Sequence, residues 1–159
     1  MSPIPEFVLE LREMVGTHRL WLPAVTAVVV HDDRVLLTER ADNGRWAPVT
    51  GIVDPGEEPA VAARREALEE CGVEIRVDRL ASVSVSPEVT HANGDLGIYL
   101  DLTFACTWLA GEAHVADDES TDVRWWPLDA LPPMGHEMVA RLDAALSGET
   151  AARFLTDAP

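Results

Sequence analysis

The chain contains few cysteines and no long apolar segment. Cys71 and Cys106 are its only cysteines, too few for a disulfide framework, and their apolar neighbours predict two small buried side chains. The longest near-apolar stretch, residues 20–30, is interrupted by Pro23 and Thr26 and is shorter than the roughly 20 residues that cross a bilayer. These absences exclude a disulfide-stapled secreted domain and a transmembrane helix, and they indicate a reducing compartment.

Basic residues are scarce as well. The 12 Lys and Arg residues stand against 28 Asp and Glu residues, a formal net charge of −16. Duplex nucleic acid attracts proteins through Lys and Arg that displace its counterions, so neither duplex nucleic acid nor an anionic membrane surface is expected as a partner. A small anionic ligand is compatible with this charge if a metal ion bridges it to carboxylates. The N-terminus lacks the basic start and apolar segment of a secretion signal, so we expect a cytoplasmic protein.

The hydrophobic pattern predicts a single domain over residues 1–159, because the length suits one domain and no repeat or linker interrupts it. Helical spacing of apolar residues predicts helices within residues 1–18, at 59–71 and at 134–146. Apolar or alternating stretches predict strands at 24–30, 34–40, 73–85, 98–109 and 123–126. The expected fold class is therefore α/β (α+β), a mixed β-sheet sandwiched between helices, with residues 147–159 as a peripheral tail. The closing helix places three apolar residues on one face: Met138, Leu142 and Ala145.

One predicted helix concentrates carboxylates on one side. An advance of about 100° per residue places Glu66, Glu69 and Glu70 within roughly a 100° sector. The adjoining side is small and apolar and is expected to pack: Ala60, Ala63, Ala67, Leu68 and Cys71. Like charges one turn apart repel by a few tenths of a kcal/mol, and binding of Mg²⁺ or Mn²⁺ to the carboxylates would relieve that repulsion. A solvated acidic surface is the alternative interpretation.

A longer pattern surrounds these carboxylates. Residues 51–73 match Gly-x5-Glu-x7-Arg-Glu-U-x-Glu-Glu-x-Gly-U, the Nudix box, at all seven fixed positions. Those positions are Gly51, Glu57, Arg65, Glu66, Glu69, Glu70 and Gly72. The sequence therefore resembles the Nudix (MutT-like) hydrolase family, over roughly residues 20–146. Two departures are Ala67, where the pattern favours a larger aliphatic residue, and Thr50, where many members have glycine.

The resemblance implies a loop–helix–loop that holds a divalent cation, Mg²⁺ or Mn²⁺, over a diphosphate. The implied metal ligands are Glu66, Glu69 and Glu70, with Glu57 acting directly or through a neighbouring ligand. Arg65 would orient one of these carboxylates by an ion pair, and the two box glycines, Gly51 and Gly72, would allow tight turns. The cation would neutralise phosphate oxygens and activate a water molecule.

The water would lose its proton to a carboxylate, either Glu70 or a glutamate from another loop, for which Glu119 is the candidate. Glu69 and Arg65 complete the expected catalytic group. Outside the box, Trp46 is a candidate for stacking on a base, with core packing as its alternative. Arg40 and Arg45 are candidates for binding the substrate, because they lie close to the box in the sequence.

The substrate class follows from charge. Arg40 and Arg45 supply little positive charge for a third phosphate, so we expect a diphosphate that links a nucleoside to another moiety, of ADP-ribose or nucleotide-sugar type. A nucleoside triphosphate pyrophosphohydrolase is the alternative within the family. A catalytically silent module that senses a nucleotide is the alternative of another class, and an isomerase on the same fold is a third. The sequence leaves open whether the chain is a monomer or a homodimer.

Overall fold

A computed structural model describes residues 4–157 of the chain. Within them, three helices accompany an eight-stranded sheet. The helices are α1 (Glu6–Val15), α2 (Pro59–Cys71) and α3 (His136–Leu146). The strands are β1 (Leu20–His31), β2 (Arg34–Arg40), β3 (Trp46–Ala47), β4 (Val49–Ile52), β5 (Glu74–Val85), β6 (Val89–Thr90), β7 (Leu96–Ala110) and β8 (Ser120–Pro127). The predicted mixed α and β fold is confirmed, and the strands that the sequence did not predict are the short ones, β3, β4 and β6.

Strand β1 connects the parts of the sheet. It pairs in parallel with β7 from Leu20 to Val30 and antiparallel with β2 and β4. Strand β5 extends the sheet beyond β7, and β8 extends it beyond β2. Gly51 of β4 lies opposite Val25 of β1. The segment that leads into α2 therefore starts from the middle of the sheet.

Helix α2 begins with Pro59 in its first turn, where the missing N–H costs nothing. It ends at Gly72, whose φ of 68° is the left-handed conformation that favours glycine. Its buried residues are Ala62, Ala63, Glu66, Ala67, Glu70 and Cys71. The alanines and the cysteine are small, so they let the helix backbone lie close to β1, β4 and β5, which share its core cluster.

The packing face of α2 differs from the expected one. Leu68 was predicted to pack but is 53% exposed. The buried face of the helix is centred on Glu66 and Glu70, whereas the sequence pattern placed that face beside them. At 100° per residue, an arc from Ala62 to Cys71 that includes both glutamates leaves Leu68 on the opposite side. The carboxylate face and the packing face are therefore one face.

Helix α3 covers another part of the sheet. Leu142 and Ala145 are buried as predicted, and Met138 is partly buried. The helix begins at His136 instead of residue 134, because Met134 is extended and forms a bridge with Trp46. The apolar residues beneath the helix form a second core cluster: Val28, Val35, Leu37 and Ala81. Among residues 4–157, no helix has both the length and the apolar character needed to span a bilayer.

Replacing Leu142 by alanine should lower the free energy of unfolding by about 2–5 kcal/mol, because this side chain is 1% exposed in the core beneath α3. The matched control is Leu68→Ala, which should cost less than about 1 kcal/mol because that side chain faces solvent. Urea denaturation of the parent and both variants measures the two losses. Equal losses would show that Leu68 packs as the helical pattern by itself predicts.

Candidate active site

The first glycine of the box lies in a strand and not in a turn. Gly51 is part of β4, and a Cβ built on it would stand 2.0 Å from Cδ of Glu66. A side chain at this position would displace the Glu66 carboxyl group. Gly51 thus allows a glutamate of α2 to lie directly on the sheet, which differs from the turn role expected for it.

Arg65 binds three carboxylates of the box. Its Nε and Nη2 donate to the two oxygens of Glu57, each at 2.9 Å. Its Nη1 donates to Glu66 at 2.8 Å and to Glu69 at 3.1 Å. Nη2 also donates to the carbonyl oxygen of Ile52, the last residue of β4, at 3.1 Å. We call this group, Arg65 with Glu57, Glu66 and Glu69, the arginine network.

The arginine network sets the charge of its members. Hydrogen bonds from Arg65 lower the pKa of Glu57, and the backbone N–H of Asp54 assists at 3.1 Å from Glu57 Oε2. The same bonds raise the pKa of the Arg65 guanidinium. Glu57 therefore stays ionised, and both of its oxygens are occupied by protein donors.

Glu70 is in the opposite situation. It is 4% exposed, and among residues 4–157 its carboxyl group has no hydrogen bond or ion pair. Burial raises its pKa well above the ordinary value, and the negative charges of Glu119 and Glu66 raise it further. Burial likewise raises the pKa of Glu66 to about 7 and that of Glu119 to about 7. We call Glu66, Glu70 and Glu119 the carboxyl cluster.

The carboxyl cluster has the donor chemistry that a hard divalent cation requires. All three members offer oxygen, the ligand atom that Mg²⁺ and Mn²⁺ prefer. The negative charge of Glu66 raises the pKa of both Glu70 and Glu119, and that of Glu119 raises the pKa of Glu70. Within residues 4–157, however, no three His, Cys, Asp or Glu side chains stand close enough together to form a ready ligand set. The donor types therefore fit a cation, although their spacing is not that of a closed ligand set.

A cleft of about 900 Å³ opens in front of this cluster. Of the residues predicted from the sequence, six line it: Arg40, Arg45, Trp46, Gly51, Glu66 and Glu119. The remaining predicted residues do not line it: Glu57, Arg65, Glu69, Glu70 and Gly72. Glu66 therefore joins the cleft to the arginine network behind it.

The predicted substrate-binding side chains have partners of their own. Arg40 donates to both oxygens of Asp42, at 3.0 and 2.8 Å. Its positive charge also lowers the pKa of Glu70 and of Glu119. Trp46 packs edge-on against the ring of Trp126 at 5.1 Å between centroids. Both Arg40 and Trp46 are thus held in place on the cleft wall.

Several polar residues of the cleft lie far from the box in the sequence and were not predicted as site residues. Asp101, Tyr99, Arg12 and Arg141 line it. Two of them carried a signal in the sequence. Asp101 interrupts an apolar strand, and Arg141 sits next to Leu142, three residues after Met138 on the predicted apolar face of α3. A charged residue in such a position is rarely buried without a partner.

Comparison with known proteins gives concordant results. A family model described as the NUDIX domain matches residues 21–146. A MutT-like protein of Streptomyces ambofaciens is 35% identical over 127 residues, which are 79% of this chain and 77% of that protein. The NAD-capped RNA hydrolase NudC of Pseudomonas aeruginosa (strain LESB58) is 32% identical over 114 residues, which are 70% of this chain but only 38% of that protein.

Comparison with solved structures leads to the same family. The crystal structure of a MutT NUDIX hydrolase from Burkholderia pseudomallei superposes with a TM-score of 0.63 at 28% identity, and the match covers 79% of this chain and 98% of that one. The family match covers α2, α3 and every strand except the first residue of β1. With every box residue present, the chain belongs to the Nudix family and is a Nudix hydrolase, an enzyme that cleaves acid anhydride bonds of the diphosphate type.

Proposed function

We propose that the chain uses Mg²⁺ or Mn²⁺ to hydrolyse a diphosphate bond between a nucleoside and a second moiety. The observation that carries the proposal is the carboxyl cluster, in which Glu66 and Glu119 line the cleft and Glu70 lies buried beside them. When bound, the cation would neutralise phosphate oxygens and acidify a water molecule. Without it, the cluster would repel a diphosphate.

Glu66 and Glu70 are the ligands that the geometry favours. Glu70 has no protein partner among the described residues, and Glu66 has one oxygen, Oε1, on Arg65. Glu69 likewise keeps one oxygen outside its bond to Arg65, so it is available as a third ligand. Both oxygens of Glu57 accept bonds from Arg65. We assign Glu57 to holding Arg65, which in turn orients Glu66 and Glu69.

Glu119 is the proposed general base. A carboxyl group with a pKa of about 7 is protonated and deprotonated near neutral pH, which suits a group that accepts a proton during turnover. Glu119 comes from the loop before β8 and lines the cleft in which a water molecule would attack. Glu70 is the second candidate, but it does not line the cleft.

The charge of the cleft supports a diphosphate over a triphosphate. Among residues 4–157, eight acidic residues and four arginines line it. Of those arginines, Arg40 is already paired with Asp42 and Arg141 with Asp101. Little positive charge remains for a third phosphate. The Pseudomonas relative is named for NAD-capped RNA, and NAD is itself a diphosphate that joins two nucleosides, which also supports this substrate class.

Metal removal should abolish turnover. We expect EDTA to stop hydrolysis and Mg²⁺ or Mn²⁺ to restore it, because the carboxyl cluster cannot receive a diphosphate without a cation. Glu70→Gln keeps the size of the side chain but removes the charge of a proposed metal ligand, so it should lower kcat at least about 100-fold. Its control is Glu74→Gln, an exposed side chain at the start of β5, which should stay within about threefold of the parent. Full turnover in chelator would contradict the metal mechanism.

Arg65→Lys should show whether Arg65 acts by orienting the carboxylates of the box or only by its positive charge. Lysine keeps the positive charge but loses the planar fork that binds Glu57, Glu66 and Glu69 at once. We expect a loss of about 10–100-fold in apparent Mg²⁺ affinity or in kcat, with the melting temperature little changed. The neighbouring exposed residue provides the control, Arg64→Lys. If the Arg65 variant unfolds instead, the network is structural and the orienting role fails.

The substrate ranking predicts that kcat/KM for ADP-ribose or a nucleotide-sugar exceeds that for any dNTP at equal Mg²⁺. A panel assay of released phosphate and nucleotide products measures this, because a triphosphate pyrophosphohydrolase releases pyrophosphate and a diphosphate hydrolase does not. A tenfold preference for a dNTP would overturn the substrate class. Hydrolysis of no nucleotide at all would indicate the silent module.

A further inference from the structure

The connection between β7 and β8, residues 111–119, is packed on the end of helix α2. The backbone N–H of His114 donates to the carbonyl oxygen of Cys71 at 3.1 Å. The backbone N–H of Ala116 donates to the carbonyl oxygen of Glu70, also at 3.1 Å. The last four carbonyl groups of a helix have no partner within the helix itself. The connection therefore supplies partners for two of these four groups, and it is fastened to α2 by doing so.

A glycine on each side allows this close approach. A Cβ built on Gly72, which ends α2, would stand 2.2 Å from Cε1 and 2.7 Å from Nδ1 of His114. The imidazole ring thus occupies the space that a side chain at residue 72 would fill. A Cβ built on Gly111 would stand 2.4 Å from the carbonyl oxygen of Gly72. Nδ1 of His114 also donates to the carbonyl oxygen of Glu112 at 2.8 Å, which fixes the orientation of the ring. Gly72 therefore leaves room for the imidazole besides ending the helix.

The other end of the connection carries Glu119, and its backbone is held as well. The carbonyl oxygen of Glu119 accepts a 2.8 Å hydrogen bond from the N–H of Ala41, just after β2. The N–H of Glu119 donates to Oδ1 of Asp117 at 3.0 Å. The negative charge of Asp117 raises the pKa of both Glu70 and Glu119, so the connection brings Asp117 close to both carboxyl groups. The backbone of Glu119 is thus held from β2 on one side and, through residues 114–117, from α2 on the other.

We propose that His114 is a positioning residue for Glu119. Its imidazole, packed on Gly72, holds the connection on the end of α2 and thereby keeps the Glu119 carboxyl group beside the rest of the carboxyl cluster. The bond from Ala41 fixes only the carbonyl side of Glu119, so the contacts with α2 are needed to fix the residues that precede it. The inference rests on the proposed function, because the position of Glu119 affects turnover only if Glu119 is the general base proposed there.

The first test removes the imidazole and measures steady-state kinetics. His114→Ala should lower kcat about tenfold and change KM less than about twofold, because a displaced base slows the chemical step and leaves substrate binding intact. His114→Phe keeps a flat ring over Gly72 and should recover most of the lost turnover. The control is His18→Ala, an exposed residue outside the cleft, which should match the parent. A parent-like kcat for His114→Ala, or an effect confined to KM, would overturn the inference.

The second test is a double-mutant cycle that asks whether His114 acts through Glu119. In the parent, His114→Ala should lower kcat as described. In a Glu119→Gln background the same change should have no further effect on kcat, because the carboxylate that His114 positions is already absent. An equal loss of kcat in both backgrounds would mean that His114 acts on another group or only stabilises the fold, and it would contradict the positioning role.

Hydrogen exchange keeps this inference separate from the proposed function, because it needs neither turnover nor a metal ion. In the parent, the backbone N–H groups of Ala116 and Glu119 should be protected by their hydrogen bonds. In His114→Ala this protection should be lost, whereas the amides in the middle of α2 should keep theirs. Unchanged protection would overturn the inference even if Glu119 is the base. Lost protection together with parent-like activity of Glu119→Gln would support the positioning and refute only the assignment of Glu119 as the general base.

Discussion

The burial of glutamates in the face of α2 that packs on the sheet is the constraint on which the rest of the site depends. Isolated carboxylates are expensive to bury, yet Glu66 and Glu70 occupy the middle of that face. Small neighbours such as Ala63 and Ala67 make room by bringing the helix backbone close to the sheet, and Gly51 leaves space for the Glu66 carboxyl group. The fold thereby holds carboxyl groups where solvent cannot stabilise their charged form, and this burial raises the pKa of both.

The carboxyl groups of the site differ in whether a positive side chain compensates their charge. Arg65 compensates Glu57, Glu66 and Glu69 through a planar fork, which provides several charge-assisted hydrogen bonds from one side chain. Glu70 has no such compensation within the described residues, and its pKa rises accordingly. Removing the arginine would leave further buried charges unpaired, which is usually more costly than the pair itself is stabilising. The charges of Glu57, Glu66 and Glu69 are thus compensated by Arg65, whereas Glu70 is buried without a compensating partner among the described residues. A bound divalent cation would provide that compensation.

Away from the carboxyl cluster, the cleft wall carries charged side chains that are paired with one another. Arg40 and Asp42 on one part of its wall, and Arg141 and Asp101 on another, are internally balanced pairs. Such pairs supply directed hydrogen bonds without a strong net field. A substrate would then be attracted mainly through its metal ion, which is consistent with a protein of net charge −16.

Helices and strands were predictable where apolar residues recur at a clear helical or strand spacing. Helix α2 spans the predicted residues, and β2 does too, because capping by Pro59 and Gly72 and the Asp32–Asp33 turn are local signals. The short strands β3, β4 and β6 were not predicted, because two to four residues cannot display a period. Leu68 was placed on the wrong face, because a helical wheel assumes that charged residues turn outward.

The sequence by itself determined the family and the chemistry of the box. The spacing from Gly51 to Gly72 is a local property of the chain, and the ordered carboxylates and arginine along one helix follow from it. Only the tertiary structure decided which of those carboxylates would be compensated and which would meet a distant residue. Glu119 reaches the carboxyl cluster from the loop before β8, and Arg141 meets Asp101 through the packing of α3 on the sheet. Contacts between elements far apart in the chain depend on register and helix rotation, which no local pattern encodes.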